Sequence, residues 1–228
     1  MKYIVANWKS NKSREDVEKW IDDWEKQATV NSEQTVVICP PLPSLMFVSN
    51  RLLNRKLHGN TFLGVQDISP FPAGRYTGGV STRNLEGFKV RYAIVGHSER
   101  RRYFKETSQD VANKVERCVE AGITPIVCVD SDYITSQAIA IKSEYLEKCM
   151  VAYEPVEAIG SGQNADLDDV EKAYTKIKKE FGSVKLIYGG SVTASNVKDY
   201  LEVSDGFLVG SASLDVSKFT ALINQSHL

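Results

Sequence analysis

Short apolar runs alternate with longer amphipathic stretches from one end of the chain to the other. The runs fall at residues 3–6, 35–39, 61–65, 91–95, 124–129, 150–153, 185–188 and 206–209. Most are continuous rather than alternating, which is the pattern of parallel strands covered on both faces. Between them, Val17, Trp20, Ile21, Trp24 and Ala28 recur at helical spacing and predict an amphipathic helix. Val111, Val115, Cys118 and Val119 form a second stripe. Leu167, Val170, Tyr174, Ile177 and Phe181 form a third, with Asp166 placed to cap it. Shorter helices are predicted over 44–53, 81–88, 132–141, 195–201 and 215–224. The aromatic residues in these stripes read as core contacts.

Eight strand–helix units in 228 residues predict an α/β fold, a single (β/α)8 barrel spanning 1–228. The structural alternative is an open doubly wound sheet. That fold usually carries a G-x-G-x-x-G turn after its first strand, where this chain has Asn7-Trp8-Lys9. Nothing along the chain reads as a linker or low-complexity segment, so one domain is expected.

Composition narrows the function classes. With 42% hydrophobic and 25% charged residues the chain is that of a folded protein rather than a disordered one. A net charge of −1, with basic residues spread along the chain, leaves no footprint for nucleic acid or an anionic membrane. The one local basic cluster, HSERRR at 97–102, reads as a turn or ion-pair site. No apolar run is long enough to span a bilayer. Met1-Lys2-Tyr3 leads directly into the first strand without an apolar signal region. Cys39, Cys118, Cys128 and Cys149 are scattered without a C-x-x-C pair, so metal and redox spacing is absent. The expectation is a cytoplasmic protein with no metal and no membrane or nucleic-acid partner.

A parallel barrel gathers its chemistry at the carboxyl ends of its strands. The residues there are Asn7 and Lys9 after the first, Gly96-His97-Ser98-Glu99 after the fourth and Glu154 after the sixth. Gly189-Gly190-Ser191 follow the seventh and Gly210-Ser211 the eighth. Taken singly, each is ordinary: a solvated lysine, a loop histidine, a capping glutamate, tight turns. Together they form a coherent set. Glycine turns opening onto helix starts present N–H groups to an anion. Lys9 supplies a fixed charge for a phosphate or oxyanion. His97 can donate to a carbonyl, and Glu154 can take a proton from the adjacent carbon. Glu154 also roots the glycine-containing stretch YEPVEAIGSG, which reads as a lid that shuts out water. No flavin, nicotinamide or metal fingerprint is present. The implied reaction is cofactor-free proton transfer on a small phosphorylated carbonyl compound.

Five segments in order, VANWKSNK from Val5, VGHSERR from Val95, AYEPVEAIGSG from Ala152, YGGSV from Tyr188 and DGFLVGSASL from Asp205, resemble the triosephosphate isomerase family. The resemblance implies interconversion of dihydroxyacetone phosphate and D-glyceraldehyde 3-phosphate. It implies Glu154 as the proton shuttle, His97 as a neutral imidazole on the substrate oxygens, and Lys9 and Asn7 as oxyanion-stabilising and positioning groups, with Glu99 near Lys9. Backbone groups of Gly160, Ser191, Gly210 and Ser211 would bind phosphate. Ala158, Ile159, Gly160, Ser161 and Gly162 would form the lid, with Pro155 stiffening its hinge and Tyr188 bonding it when closed. The loop 67–80 would dock into a second subunit, with Thr77 near that subunit's Asn7 and Lys9, so a homodimer is expected and a tetramer stays open.

The chain also departs from the family pattern. Glu157 stands where the commoner form has tryptophan, which implies a hinge held by polar contacts. Ser211 replaces a glycine and keeps its role if its φ is negative. Gly79 replaces a glutamate that commonly pairs with an arginine across the interface, so Arg100 is expected to lack that partner. Cys128 to Glu154 is about a dozen positions shorter than in the longer form, leaving room for little more than one helix, which suggests a compact variety. Two other readings stay in play: another phosphosugar isomerase on the same barrel, and a phosphate-binding scaffold without activity.

Overall fold

Eight parallel strands pair in sequence order, and the last returns to the first to close a barrel. The computed structural model of the protein describes residues 1–53, 59–155 and 165–226. The strands are β1 (Lys2–Asn7), β2 (Gln34–Cys39), β3 (Thr61–Val65), β4 (Val90–Val95), β5 (Thr124–Val129), β6 (Met150–Tyr153), β7 (Lys185–Tyr188) and β8 (Gly206–Val209). Side chains alternate between two apolar compartments. Val5, Val37, Ile94, Ile126, Cys128, Ala152, Ile187 and Leu208 fill one, inside the barrel. Ile4, Ala6, Val36, Ile38, Ala93, Val127 and Val151 face the other, against the helices. Burial on both faces is why the strands read as unbroken apolar runs. Gly64 on β3 has no side chain to offer, and a Cβ there would stand 2.5 Å from Cys39 Sγ and 2.9 Å from Val37 Cγ1. That strand yields its interior space to the neighbouring β2.

The helices begin where their caps sit. In α1 (Arg14–Gln27), Ser13 and Asp16 form a reciprocal capping box, and Val17, Trp20, Ile21 and Trp24 are buried. Thr107 and Asp110 do the same for α4 (Ser108–Glu120). Asp166 caps α7 (Leu167–Phe181), and Asp215 caps α8 (Val216–Gln225). Trp20 stacks on Trp24 at 5.3 Å and meets Trp8 edge-on at 4.7 Å, so these aromatics are core, as their spacing predicts.

Several helices differ from the sequence reading. The stretch 44–53 divides into a 3-10 turn at Leu42–Ser44, opened by Pro41, and α2 (Leu45–Leu53). Residues 81–88 and 195–201 form single 3-10 turns, Thr82–Leu85 and Val197–Tyr200, rather than helices. In the first, positive φ at Gly87 and Lys89 turns the chain into β4 before a second turn can form. Between β5 and β6 lie α5 (Ile134–Ala140) and α6 (Ser143–Leu146), two short helices separated by extended Ile141. A further unforeseen element is α3 (Ser98–Phe104), whose SERRRYF sequence has no apolar stripe and is held by side-chain bonds instead.

Candidate active site

The turn after β4 sets the geometry. Gly96 takes φ +70, and a Cβ there would stand 2.7 Å from Arg101 Nη2 and 2.9 Å from Val111 Cγ2, so only glycine fits. Arg101 braces the turn from beneath. Its Nε donates to Gly96 O at 2.9 Å and its Nη2 to Gln137 Oε1 at 2.8 Å, while the guanidinium lies 4.1 Å from the Tyr133 ring centroid. His97 then caps α3, with Nδ1 accepting the Glu99 N–H at 3.2 Å.

His97 Nε2 lies 2.9 Å from Glu154 Oε1, and the Ser98 N–H donates to Glu154 Oε2 at 2.8 Å. Glu154 follows β6 and is only 2% exposed. Its backbone extends the β5 pairing, with its N–H donating to Val129 O at 2.8 Å. Burial pushes the Glu154 carboxyl up, and the His97 imidazole and Ser98 amide more than offset it. The net direction is below the ordinary glutamate value, toward the carboxylate. For His97, burial lowers basicity and the adjoining Glu154 raises it, for a net upward direction. The bond at Nδ1 opposes that direction and decides the ring's state. A nitrogen accepting an N–H has no room for a proton, so the imidazole's hydrogen sits on Nε2, facing Glu154.

Lys9 has φ 50, a left-handed backbone that β-carbon-bearing residues rarely adopt. Three bonds hold it there. The Lys9 N–H donates to Asn7 Oδ1 at 3.1 Å, Gln66 Nε2 donates to Lys9 O at 3.0 Å, and the ammonium meets Glu99 Oε1 at 2.7 Å. The same Gln66 amide donates to Cys39 O at 2.9 Å, tying the ends of β1, β2 and β3 together. Gln66 has no place in the sequence reading. The signal for it is its position as the first polar residue after β3, the criterion that singles out Asn7 after β1.

The glycine turns complete the mouth. The Gly189 N–H donates to Tyr153 O at 2.8 Å, and a Cβ on Gly189 would stand 3.1 Å from Glu154 Cγ. Gly210 lies under the Lys9 arm, where a Cβ would meet Lys9 Cε at 3.6 Å. Ser211 opens a 3-10 turn, Ser211–Leu214, and is not among the residues with positive φ. Its backbone therefore meets the condition set by the sequence. Asn7, Lys9, His97, Glu154, Ser191, Gly210 and Ser211 all border one cavity of 460 Å³. Among the described residues no cluster of His, Cys, Asp and Glu could hold a metal. Glu157, Ala158, Ile159, Gly160, Ser161 and Gly162 lie outside the described residues, and with them the hinge and lid expectations.

A second cavity, of 720 Å³, shares Asn7, Lys9 and His97 and extends to Phe71, Tyr76, Thr77 and Phe104. In the loop 67–80 the Ser69 N–H donates to Val80 O at 2.8 Å, and Phe71 stacks on Tyr76 at 4.5 Å. Arg100, expected to lack the glutamate partner across the interface, has partners of its own. Its Nη2 pairs with Asp67 Oδ2 at 2.8 Å and its Nε with Glu106 Oε2 at 2.9 Å, both within the chain.

Residues 2–226 match the triosephosphate isomerase family. The chain is 35% identical to a triosephosphate isomerase of Thermus thermophilus, covering 96% of each protein. It is 36% identical to one of Dictyoglomus turgidum, over 97% of this chain and 98% of the relative. It is 32% identical to one of Mycoplasma pneumoniae, over 97% of each. The Thermus alignment runs over 246 residues against a chain of 228, so that relative carries segments this chain lacks. A closed eight-stranded parallel barrel, a polar mouth at its carboxyl ends and this match along nearly the whole length agree, and the chain belongs to the triosephosphate isomerase family.

Proposed function

We propose that the chain interconverts dihydroxyacetone phosphate and D-glyceraldehyde 3-phosphate, an aldose–ketose isomerisation through an enediolate that needs no cofactor. The observation that carries this reading is the pairing of His97 Nε2 with Glu154 Oε1 at 2.9 Å in a cavity also bordered by Lys9. A carboxylate and a protonated ring nitrogen side by side suit a base for a C–H proton and a donor for the neighbouring oxygens. Glu154 leaves its contacts with His97 and Ser98 when substrate enters, and the freed Nε2–H turns to the carbonyl. Lys9, held by Asn7, Gln66 and Glu99, faces the developing oxyanion with a charge already in place. Backbone groups of Ser191, Gly210 and Ser211 receive the phosphate, joined by Gly160 from outside the described residues.

The same reading extends to assembly. Leu42, Met46, Phe71, Tyr76, Tyr103 and Phe104 are large apolar side chains left exposed. Several of them border the larger cavity with Thr77, which supports a homodimer in which the loop 67–80 of each copy enters the other. A tetramer is a further arrangement of such dimers. No helix among the described residues is long and apolar enough to cross a membrane, which is compatible with cytoplasmic work on a soluble sugar phosphate.

A coupled assay with D-glyceraldehyde 3-phosphate tests the reading. The wild type turns substrate over and Glu154→Asp does so far more slowly. Wild-type turnover no faster than buffer rejects the isomerase.

A further inference from the structure

The connection from β6 to α7 begins at Pro155, beside the base, and re-enters the described structure at Ala165. Two tyrosines hold that far end. Tyr188 Oη accepts the Ala165 N–H at 3.2 Å, and Tyr200 Oη donates to Ala165 O at 2.7 Å. One residue's donor and acceptor are thus both taken by side chains from the end of β7 and from the 3-10 turn that follows it. The rings stack at 4.2 Å with an interplanar angle of 13°, and both are buried. Ala165 directly precedes Asp166, the cap of α7, so the clamp acts at the point where the connection becomes helix.

Tyr188 is also tied to the base. It adjoins Gly189, whose N–H bonds Tyr153 O and where a Cβ would stand 3.1 Å from Glu154 Cγ. At Gly190 a Cβ would stand 2.3 Å from Tyr188 Oη, so the turn is shaped around that hydroxyl. Tyr200 is the other member of this stack. A packing role alone would be met by phenylalanine or leucine. The hydroxyl bonded to a backbone carbonyl is what packing does not explain.

We propose that Tyr200 is a positioning residue for the reaction: through Ala165 and Tyr188 it fixes both the far end of the connection that starts at Glu154 and the strand end beneath that carboxylate. The inference rests on the isomerase reading above. Removing the hydroxyl leaves Ala165 O without its donor while keeping the ring stack.

The test is Tyr200→Phe and Tyr200→Leu in the full chain, read by kinetics and by amide hydrogen exchange. In Tyr200→Phe, kcat/KM per folded molecule falls about five-fold, the factor that one ordinary hydrogen bond represents. Exchange at the Ala165 amide accelerates more than exchange at Ile126 in the barrel wall. Tyr200→Leu, which also loses the stack, shows the larger loss. A tyrosine that serves stability alone would speed both amides equally and leave kcat/KM per folded molecule unchanged, and either result overturns the proposal. A wild type that does not isomerise overturns the functional reading and this inference together. A Tyr200→Phe enzyme indistinguishable from an active wild type overturns this inference alone.

Discussion

Two clusters of charge stand side by side at the barrel mouth and are wired in opposite ways. In one, Asp67, Arg100, Glu106 and Lys114 close on each other. Arg100 bonds both carboxylates, and Lys114 meets Asp67 at 2.6 Å and Glu106 as well. Two cations face two anions, and Glu106 and Lys114 are almost wholly buried. In the other, Glu154 is just as deeply buried but is held by the His97 imidazole and by Ser98, through its backbone N–H and its side chain. Neither is a permanent opposite charge. The first cluster loses much if any member is removed. In the proposed reaction the second exchanges its partners for substrate without stranding a charge. Burial alone therefore does not distinguish the two carboxylates; the kind of partner does, and it is what supports the proposed chemical role of Glu154.

The sharpest way to break this comparison is to neutralise the proposed base. Glu154→Gln should lower kcat by about 10²–10⁴, the usual span for a general base, while thermal stability changes little. A variant retaining a tenth or more of wild-type turnover would remove Glu154 from the chemistry. The self-paired cluster should show the opposite split. Glu106→Ala strands part of the positive charge of Lys114 and Arg100 and should cost about 3–5 kcal/mol in denaturant unfolding. Turnover per folded molecule should stay near wild type. If Glu106→Ala proves as stable as wild type, the account of that cluster as structural fails.

Smaller effects sharpen the contrast. The Glu154 carboxyl lies below its ordinary value of 4.5 in the folded chain. A depressed carboxyl stabilises the fold fully above its unfolded value and loses that contribution as pH falls through the folded one. The thermal midpoint of wild type minus that of Glu154→Gln should be flat above about pH 4.5 and shrink below it. A difference that grows on acidification would mean the carboxyl is raised instead. The least effect belongs to Ser211→Gly. With negative φ already available at Ser211, restoring glycine should change KM by a factor of about two or less. A larger change would mean that the hydroxyl, not only the N–H, meets the phosphate.

The strands were the most legible part of the molecule. Residues 3–6 are expected where β1 runs Lys2–Asn7, and β3, β5, β6, β7 and β8 agree residue for residue. A strand buried on both faces cannot hide its apolar run. The mouth was legible for a related reason: barrel topology brings every strand's carboxyl end to one place, so reading the polar residue after each strand finds Asn7, Lys9, His97 and Glu154. Three features were not legible. The helix α3 has no apolar stripe, because caps and ion pairs hold it rather than core packing. The cluster of Asp67, Arg100, Glu106 and Lys114 draws on distant positions that share no local pattern, so the sequence suggests nothing of the partners Arg100 finds within the chain. Tyr200 lies in a short turn where a tyrosine looks like core, and only its bond to Ala165 O sets it apart.

The central claim is that Glu154 carries a carbon-bound proton between C1 and C2 of a triose phosphate. The direct measurement is conversion of dihydroxyacetone phosphate in heavy water, with the product examined by nuclear magnetic resonance. The account predicts deuterium at C2 of D-glyceraldehyde 3-phosphate with wild type, because the proton delivered there passes through a carboxyl that exchanges with solvent, and negligible product with Glu154→Gln. Product free of deuterium at C2, formed at the same rate by both proteins, would contradict it.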